Sequence, residues 1–286
     1  MSIPGLICKR ILSDDGTPIY AEAVGNSSLP SIIFIHGLGL SSIVFEKLFQ
    51  DRTLLNNAYL VRYDLRGHGW SGKPVNAEAH ESIRYAQDFM AVADAFNLNK
   101  PYLFGWSLGA TVATDVCQHI SPTPLAGIIY AAPLPYIGPI MAELGKPTIA
   151  PIREGLMAPD VATVMDSKIK FVLSTFVDPD AVDYPTIASW IGSGAYISGE
   201  GVKRAITRPQ NPAGLYAAGK AGLPLLFLYS HEDAQLDNEV AVNEVGCFFE
   251  NKKVIVIPRS GHAVFHDNQS RVVAEIISFI GGKTAH

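Results

Sequence analysis

The sequence predicts an α/β fold, with a mostly parallel, doubly wound sheet of about eight strands and an inserted helical segment. Three observations predict it. Short, continuous apolar runs recur and end at glycine, histidine or aspartate, as strands buried on both faces do. Helical-period segments separate these runs. One long tract after Ala132 contains no such run. At 286 residues, the chain suits one large domain or a domain with an inserted lid.

The elements follow in order. Leu6 to Leu12 and Ile19 to Val24 read as an antiparallel hairpin at one end of the sheet, joined by Asp15-Gly16-Thr17-Pro18, strong turn chemistry. Ser31 to Ile35 is a buried strand ending in His36-Gly37-Leu38-Gly39. A helix is expected next, capped by Ser41 or Ser42, with Val44, Phe45, Leu48 and Phe49 inward. Tyr59 to Tyr63 is another strand. It leads through Asp64 into a glycine-rich loop ending at Pro74, where no helix follows directly and no phosphate cradle is expected. Ser82 to Leu98 reads as a helix with Ile83, Phe89, Met90, Ala93 and Phe96 inward. A strand from Pro101 then leads to Ser107, and Leu125 to Tyr130 is the next one.

From Leu134 to Leu215 the pattern predicts helical pieces over Val161–Phe176, Tyr184–Tyr196, Val202–Ile206 and Ala213–Ala218. At about 80 residues this tract exceeds an ordinary crossover. It divides the chain into a first core part (1–133), a helical cap (134–215) and a second core part (216–286). The sheet resumes at Leu223 to Tyr229. A helix over Glu239 to Phe249, a strand over Lys253 to Ile257 and a closing helix over Asn268 to Ile280 complete it.

Composition narrows the function. Apolar residues make up 48% and charged residues 17%, ample for a large core. A net charge of −5 without a basic block argues against nucleic acid as a partner. No apolar run reaches the length that spans a bilayer, and the N-terminus lacks a secretory pattern, so a cytoplasmic protein is expected. Cys8, Cys117 and Cys247 form neither a disulfide framework nor a metal-ligand spacing, and are expected to be small core residues in a reducing compartment. No metal or organic cofactor is expected.

The chemistry centres on Gly105-Trp106-Ser107-Leu108-Gly109, between a strand and the helical pattern Val112, Ala113, Val116. A Gly-x-Ser-x-Gly turn in that context is a nucleophile elbow. Serine needs a base, and the base needs an orienting group. In a doubly wound sheet these lie just after strand ends. Asp233 and His262 follow the last two strands, in the chain order expected for this arrangement. His231 and His266 compete for the base, and Glu232 and Asp237 for the acid. His36 and His68 sit in glycine turns that they support, while His80, His119 and His286 read as surface residues. Backbone N–H groups of Leu38 and Leu108 are the expected oxyanion donors. Trp106, His36, Gly37 and Val264 border these positions and are candidate substrate contacts.

Together, His36-Gly37-Leu38-Gly39, Tyr63-Asp64-Leu65-Arg66-Gly67-His68-Gly69-Trp70-Ser71, the Ser107 elbow and Gly261-His262 resemble, in order and spacing, the recurring blocks of α/β-hydrolases with a helical cap. The first blocks look most like carboxylesterases, enol-lactone hydrolases and non-heme chloroperoxidase-like esterases. The resemblance implies Ser107, Asp233 and His262 as nucleophile, acid and base. Ala110 and Ser230 stand where the family often has glycine. Serine at the elbow argues against the related dehalogenases and epoxide hydrolases, which use a carboxylate. The absence of proline after Gly39 weakens a perhydrolase reading.

The expected activity is hydrolysis of a small carboxylic ester or lactone with an apolar group, by a monomer or homodimer. C–C bond hydrolysis, acyl transfer and a slow-turnover receptor remain open alternatives. In the cap, Leu156, Met157, Phe171, Phe176, Trp190 and Tyr196 either shape an apolar pocket or pack the helices together. Lys168 and Lys170 either meet an anionic substrate or form a solvated helix face.

Overall fold

The computed structural model describes residues 3–282. His286 and the first two residues, with the expectations placed on them, lie outside that range.

The sheet has eight strands: β1 (Ile7–Leu12), β2 (Pro18–Val24), β3 (Ser31–Ile35), β4 (Tyr59–Tyr63), β5 (Tyr102–Trp106), β6 (Gly127–Ala131), β7 (Leu225–Tyr229) and β8 (Lys252–Val256). Their spatial order is β1-β2-β4-β3-β5-β6-β7-β8. β2 pairs antiparallel with both β1 and β4, and every other pairing is parallel. The expected hairpin therefore sits at one edge.

Alternation along the central strands builds two cores. Ile33, Ile35, Leu103, Ile128 and Phe227 face one side of the sheet. Ile32, Phe34, Phe104, Ile129 and Leu226 face the other. Parallel strands covered on both faces must be apolar at consecutive positions, which is why these runs are uninterrupted.

Along the chain, the helices begin with two single turns, α1 (Glu46–Phe49) and α2 (Arg52–Leu55). A tighter turn over Ser42–Phe45 precedes α1, and Ser41 caps it by position without a side-chain bond. The long helices α3 (Ser82–Ala95) and α4 (Thr111–His119) follow. The buried face of α3 is Tyr85, Ala86, Asp88, Phe89, Val92 and Ala93. Ile83, expected inward, falls off that face and is exposed.

Between β6 and β7 the described chain is helical: α5 (Ile140–Leu144), α6 (Ile149–Gly155), α7 (Val161–Leu173), α8 (Tyr184–Ser193), α9 (Gly199–Thr207) and α10 (Ala213–Lys220). α5 and α6 lay outside the expectation because so few turns show little periodicity. Asp160 and Asp183 cap α7 and α8 by accepting from Thr163 N–H and Thr186 N–H. The last helices are α11 (Asn238–Gly246), α12 (Val264–Asp267) and α13 (Gln269–Ile280).

A buried polar knot joins the segment after α9 to α4. Asp115 accepts from Arg208 (3.0 Å), Gln210 (2.6 Å) and Ser82 (2.6 Å). Gln210 also accepts from Ile137 N–H (2.6 Å).

Two expectations need correction. Cys8 and Cys247 are exposed and Cys117 is partly buried. β1 is an edge strand whose side chains reach solvent, and Cys247 follows the end of α11. His80 is buried, with one ring nitrogen on the Tyr85 hydroxyl (2.9 Å) and the other on Pro74 C=O (2.9 Å).

Candidate active site

Ser107 follows β5 directly, with φ +52°. A non-glycine residue in that region is strained, and strain of this kind collects at functional turns. Its neighbours make the turn possible. A Cβ on Gly109 would lie 2.2 Å from Ile35 O, and one on Gly105 would lie 2.5 Å from Ala110 Cα. Both positions exclude any side chain. Leu108 N–H opens the helical stretch that continues into α4, where unpaired backbone donors favour negative charge.

Asp233 and His262 meet. Nδ1 of His262 donates to Asp233 Oδ2 at 2.8 Å, and both side chains are almost completely buried. Asp233 also accepts from Gln235 N–H (2.8 Å), Leu236 N–H (3.1 Å) and the Asn238 amide (2.8 Å). Burial by itself would raise the Asp233 pKa. The facing imidazole and the two backbone donors outweigh it and hold the carboxyl below its usual value. With Nδ1 bonded to the acid, Nε2 is the basic atom of the neutral ring, and it is buried without a hydrogen-bond partner. Trp106 links this pair to the elbow, because its indole N–H donates to His262 C=O at 3.0 Å.

The competitors are elsewhere engaged. His231 is exposed beside Glu239. His266 contacts Lys47 and Asp267 and packs on Phe176 and Trp190. Glu232 accepts from Arg259 N–H, and Asp237 caps α11.

The loop after β3 is held by two buried, neutral histidines. His36 donates from Nδ1 to Gly37 C=O (2.8 Å), and its Nε2 accepts from Leu65 N–H (3.0 Å). His68 donates to Arg66 C=O (3.2 Å) and accepts from Gly39 N–H (3.2 Å). Burial lowers the pKa of His36 to about 4, and burial with the neighbouring His36 ring lowers that of His68 to about 3. Asp64 braces the adjoining loop by accepting from Ser42 N–H and Trp70 N–H, each at 2.8 Å. A Cβ on Gly37 would lie 3.2 Å from Ser107 Cβ, so this loop lies against the elbow.

A cleft of about 530 Å³, including its open mouth, reaches Ser107, Leu38 and Leu108. Leu134, Leu144, Phe171 and Ile206 are among its apolar walls, and Gln235 and Arg153 are its other polar members. Its mostly apolar lining with a few polar groups is that of a small-molecule site.

Four expected substrate contacts do not line this cleft. Trp106, His36 and Val264 are buried in protein, and Gly37 is closed off against Ser107 and Trp106. They neighbour the proposed catalytic and oxyanion residues along the chain, but they pack inside the protein rather than at the cleft surface. Of the expected cap residues, Phe171 does line it. Phe176 instead packs on Trp190, and Trp190 packs on Trp106 and Phe265. Tyr196 is exposed. Lys170 pairs with Asp166 on the outer face of α7, whereas Lys168 lines a smaller separate void with Gly39 and Ile197.

Sequence reasoning missed Asn238 and Gln235, which brace the acid loop, and Arg153. Asn238 carried one signal, its place at the start of a helix just after the acid. Among the described residues no group of three or more His, Cys, Asp or Glu could hold a metal ion, and no helix is long and apolar enough to cross a membrane.

The α/β hydrolase family model matches residues 32–276, from β3 into the last helix. The chain belongs to the α/β hydrolase family. Among solved structures it is similar to a candidate aryl esterase from Burkholderia cenocepacia, at 26% identity and a TM-score of 0.87, covering 96% of this chain and 98% of that one. It is also similar to the pimeloyl-[acyl-carrier protein] methyl ester esterase of Vibrio atlanticus, 22% identical over 87% of this chain and 94% of the relative. A candidate 2-succinyl-6-hydroxy-2,4-cyclohexadiene-1-carboxylate synthase of Bacillus subtilis is 22% identical, covering 94% of this chain and 96% of the relative.

Proposed function

We propose that this protein is a serine hydrolase of carboxylic esters or lactones, with Ser107 as nucleophile, His262 as base and Asp233 as the orienting acid. The observation that carries the reading is the buried His262–Asp233 pair, whose His262 carbonyl is held by the indole of Trp106, the residue before the strained Ser107 turn, and whose Nε2 has no hydrogen-bond partner. The esterase names of two relatives support it.

In this reading Ser107 Oγ attacks the ester carbonyl as Nε2 takes its proton. Asp233 keeps the imidazole in the Nδ1–H tautomer and stabilises its charge. The N–H groups of Leu38 and Leu108 receive the developing oxyanion. Such a donor is typically worth about 10²–10³ in rate. His262 returns its proton to the leaving alcohol, then activates water to cleave the acyl-enzyme. Residues 134–215 act as a cap whose Leu144, Phe171 and Ile206 bind an apolar acyl or alcohol group. The three free thiols suit a cytoplasmic enzyme.

The test is hydrolysis of a chain-length series of p-nitrophenyl esters by wild type and Ser107→Ala. Wild-type turnover with a loss of about 10³-fold or more in the variant is expected. Equal rates on every ester would sink the assignment. The Bacillus subtilis relative, named as a synthase, favours one second reading, in which the same triad serves chemistry other than ester cleavage. A wild type inert on all esters would point there.

A further inference from the structure

The cleft at Ser107 holds one charged side chain. Its walls are apolar except for Ser107, Gln235 and Arg153, the last from the final turn of α6. The Gln235 amide is already engaged, donating to Phe171 C=O (3.2 Å) and Ser174 Oγ (2.9 Å). Arg153 is half-buried and, among the described residues, forms no ion pair and no hydrogen bond through its side chain.

The buried arginines of the fold behave differently. Arg62 pairs with Glu22 and Glu46, Arg66 with Asp15 and Asp88, and Arg208 with Asp115. A guanidinium partly withdrawn from water gains more from a facing anion than one in bulk solvent. Its planar donors match a carboxylate or a phosphate in a two-point grip. Lys168, the other cation considered for an anion, lines a separate void that does not include Ser107.

We propose that Arg153 binds an anionic group carried by the substrate away from its scissile bond. The substrate class is then a carboxylic ester whose apolar spacer ends in a carboxylate or a phosphate monoester. This rests on the ester-hydrolase reading above, and Arg153 is a specificity-determining residue within it.

Two measurements test it. In the first, calorimetry on Ser107→Ala protein compares monomethyl esters of straight-chain dicarboxylic acids, succinate to suberate, each with its isosteric ω-carboxamide. A second arm uses methyl esters of ω-phosphonooxy acids. At the best length the anion binds about tenfold tighter than the neutral isostere, equivalent to one charge-assisted contact. Adding Arg153→Gln brings that ratio close to one, and Arg153→Lys retains part of it. The arm showing the Arg153-dependent preference identifies the anion. A ratio near one at every length in both arms, or a preference indifferent to Arg153→Gln, overturns the proposal.

In the second, wild type turns over the same pairs. The anionic ester has the lower KM at similar kcat, as a contact equally strong in ground and transition states requires. Turnover without an anion preference removes the subsite and leaves the hydrolase. Preference without turnover keeps the anion subsite and removes the ester reading.

Discussion

Asp233 shows how much of the proposed catalytic geometry can rest on one carboxylate. It accepts from the imidazole, two backbone amides and Asn238, and no oxygen is left to wander. The sequence pointed to Asp233 as the proposed acid and His262 as the proposed base because each follows a strand end in the expected order, and the structure brings the two together. Their supports were not. Trp106 looked like a pocket residue, yet its indole N–H fixes the backbone of His262. Asp233→Asn leaves the packing intact and lets the imidazole bond through the wrong tautomer. We expect kcat on a p-nitrophenyl ester to fall about 10⁴-fold with little change in melting temperature. A fall below tenfold would show that another group orients the base.

At the scale of elements, the elbow is a three-way contact between β5, the helical turn after it, and the end of β3. Gly109 allows the Ile35 carbonyl to approach, and Gly105 allows Ala110 to approach. The glycine spacing announced this turn, while the partners it admits came from the fold. Gly109→Ala would place a methyl group 2.2 Å from Ile35 O, which only backbone movement can relieve. The expected cost is about 3 kcal/mol or more, read as a lower urea midpoint. An unchanged midpoint would mean that the turn can open without disturbing β3. The long helices and buried strands were visible in sequence because their periodicity runs over several turns or pleats. α5, α6 and α12 were not, since each is only one or two turns long. Tertiary contact holds them, not their own pattern.

At the scale of the whole molecule, the segment between β6 and β7 is tied to the loops that carry Asp233 and His262. Asp237 N–H donates to Leu144 C=O (2.7 Å), and Ala263 N–H donates to Thr175 C=O (2.8 Å). The cleft and the Asp233–His262 pair therefore form one hydrogen-bonded assembly. Buried neutral histidines give that assembly a pH dependence. His36 and His68 have folded pKa values of about 4 and about 3, against an ordinary 6.5. Between those values the unfolded chain binds more protons, so stability falls as pH drops below 6.5 and goes on falling towards 3. Asp233, held below its ordinary value, adds loss in the same direction at the acid end. Urea midpoints measured from about pH 7 down to about pH 4.5 should decline steadily. A flat profile would show that the two rings stay solvated in solution.

The sequence by itself determined the doubly wound sheet and the family, and it supplied the strained glycine-flanked turn at Ser107 and the proposed order of serine, aspartate and histidine. These depend on local periodicity and on residues that no other turn would require. The cleft walls, the neutral pair His36–His68, the polar knot at Asp115 and the unpaired Arg153 were decided only in three dimensions. Each depends on which side chains arrive from distant segments, and pairing between distant segments has no signature along the chain.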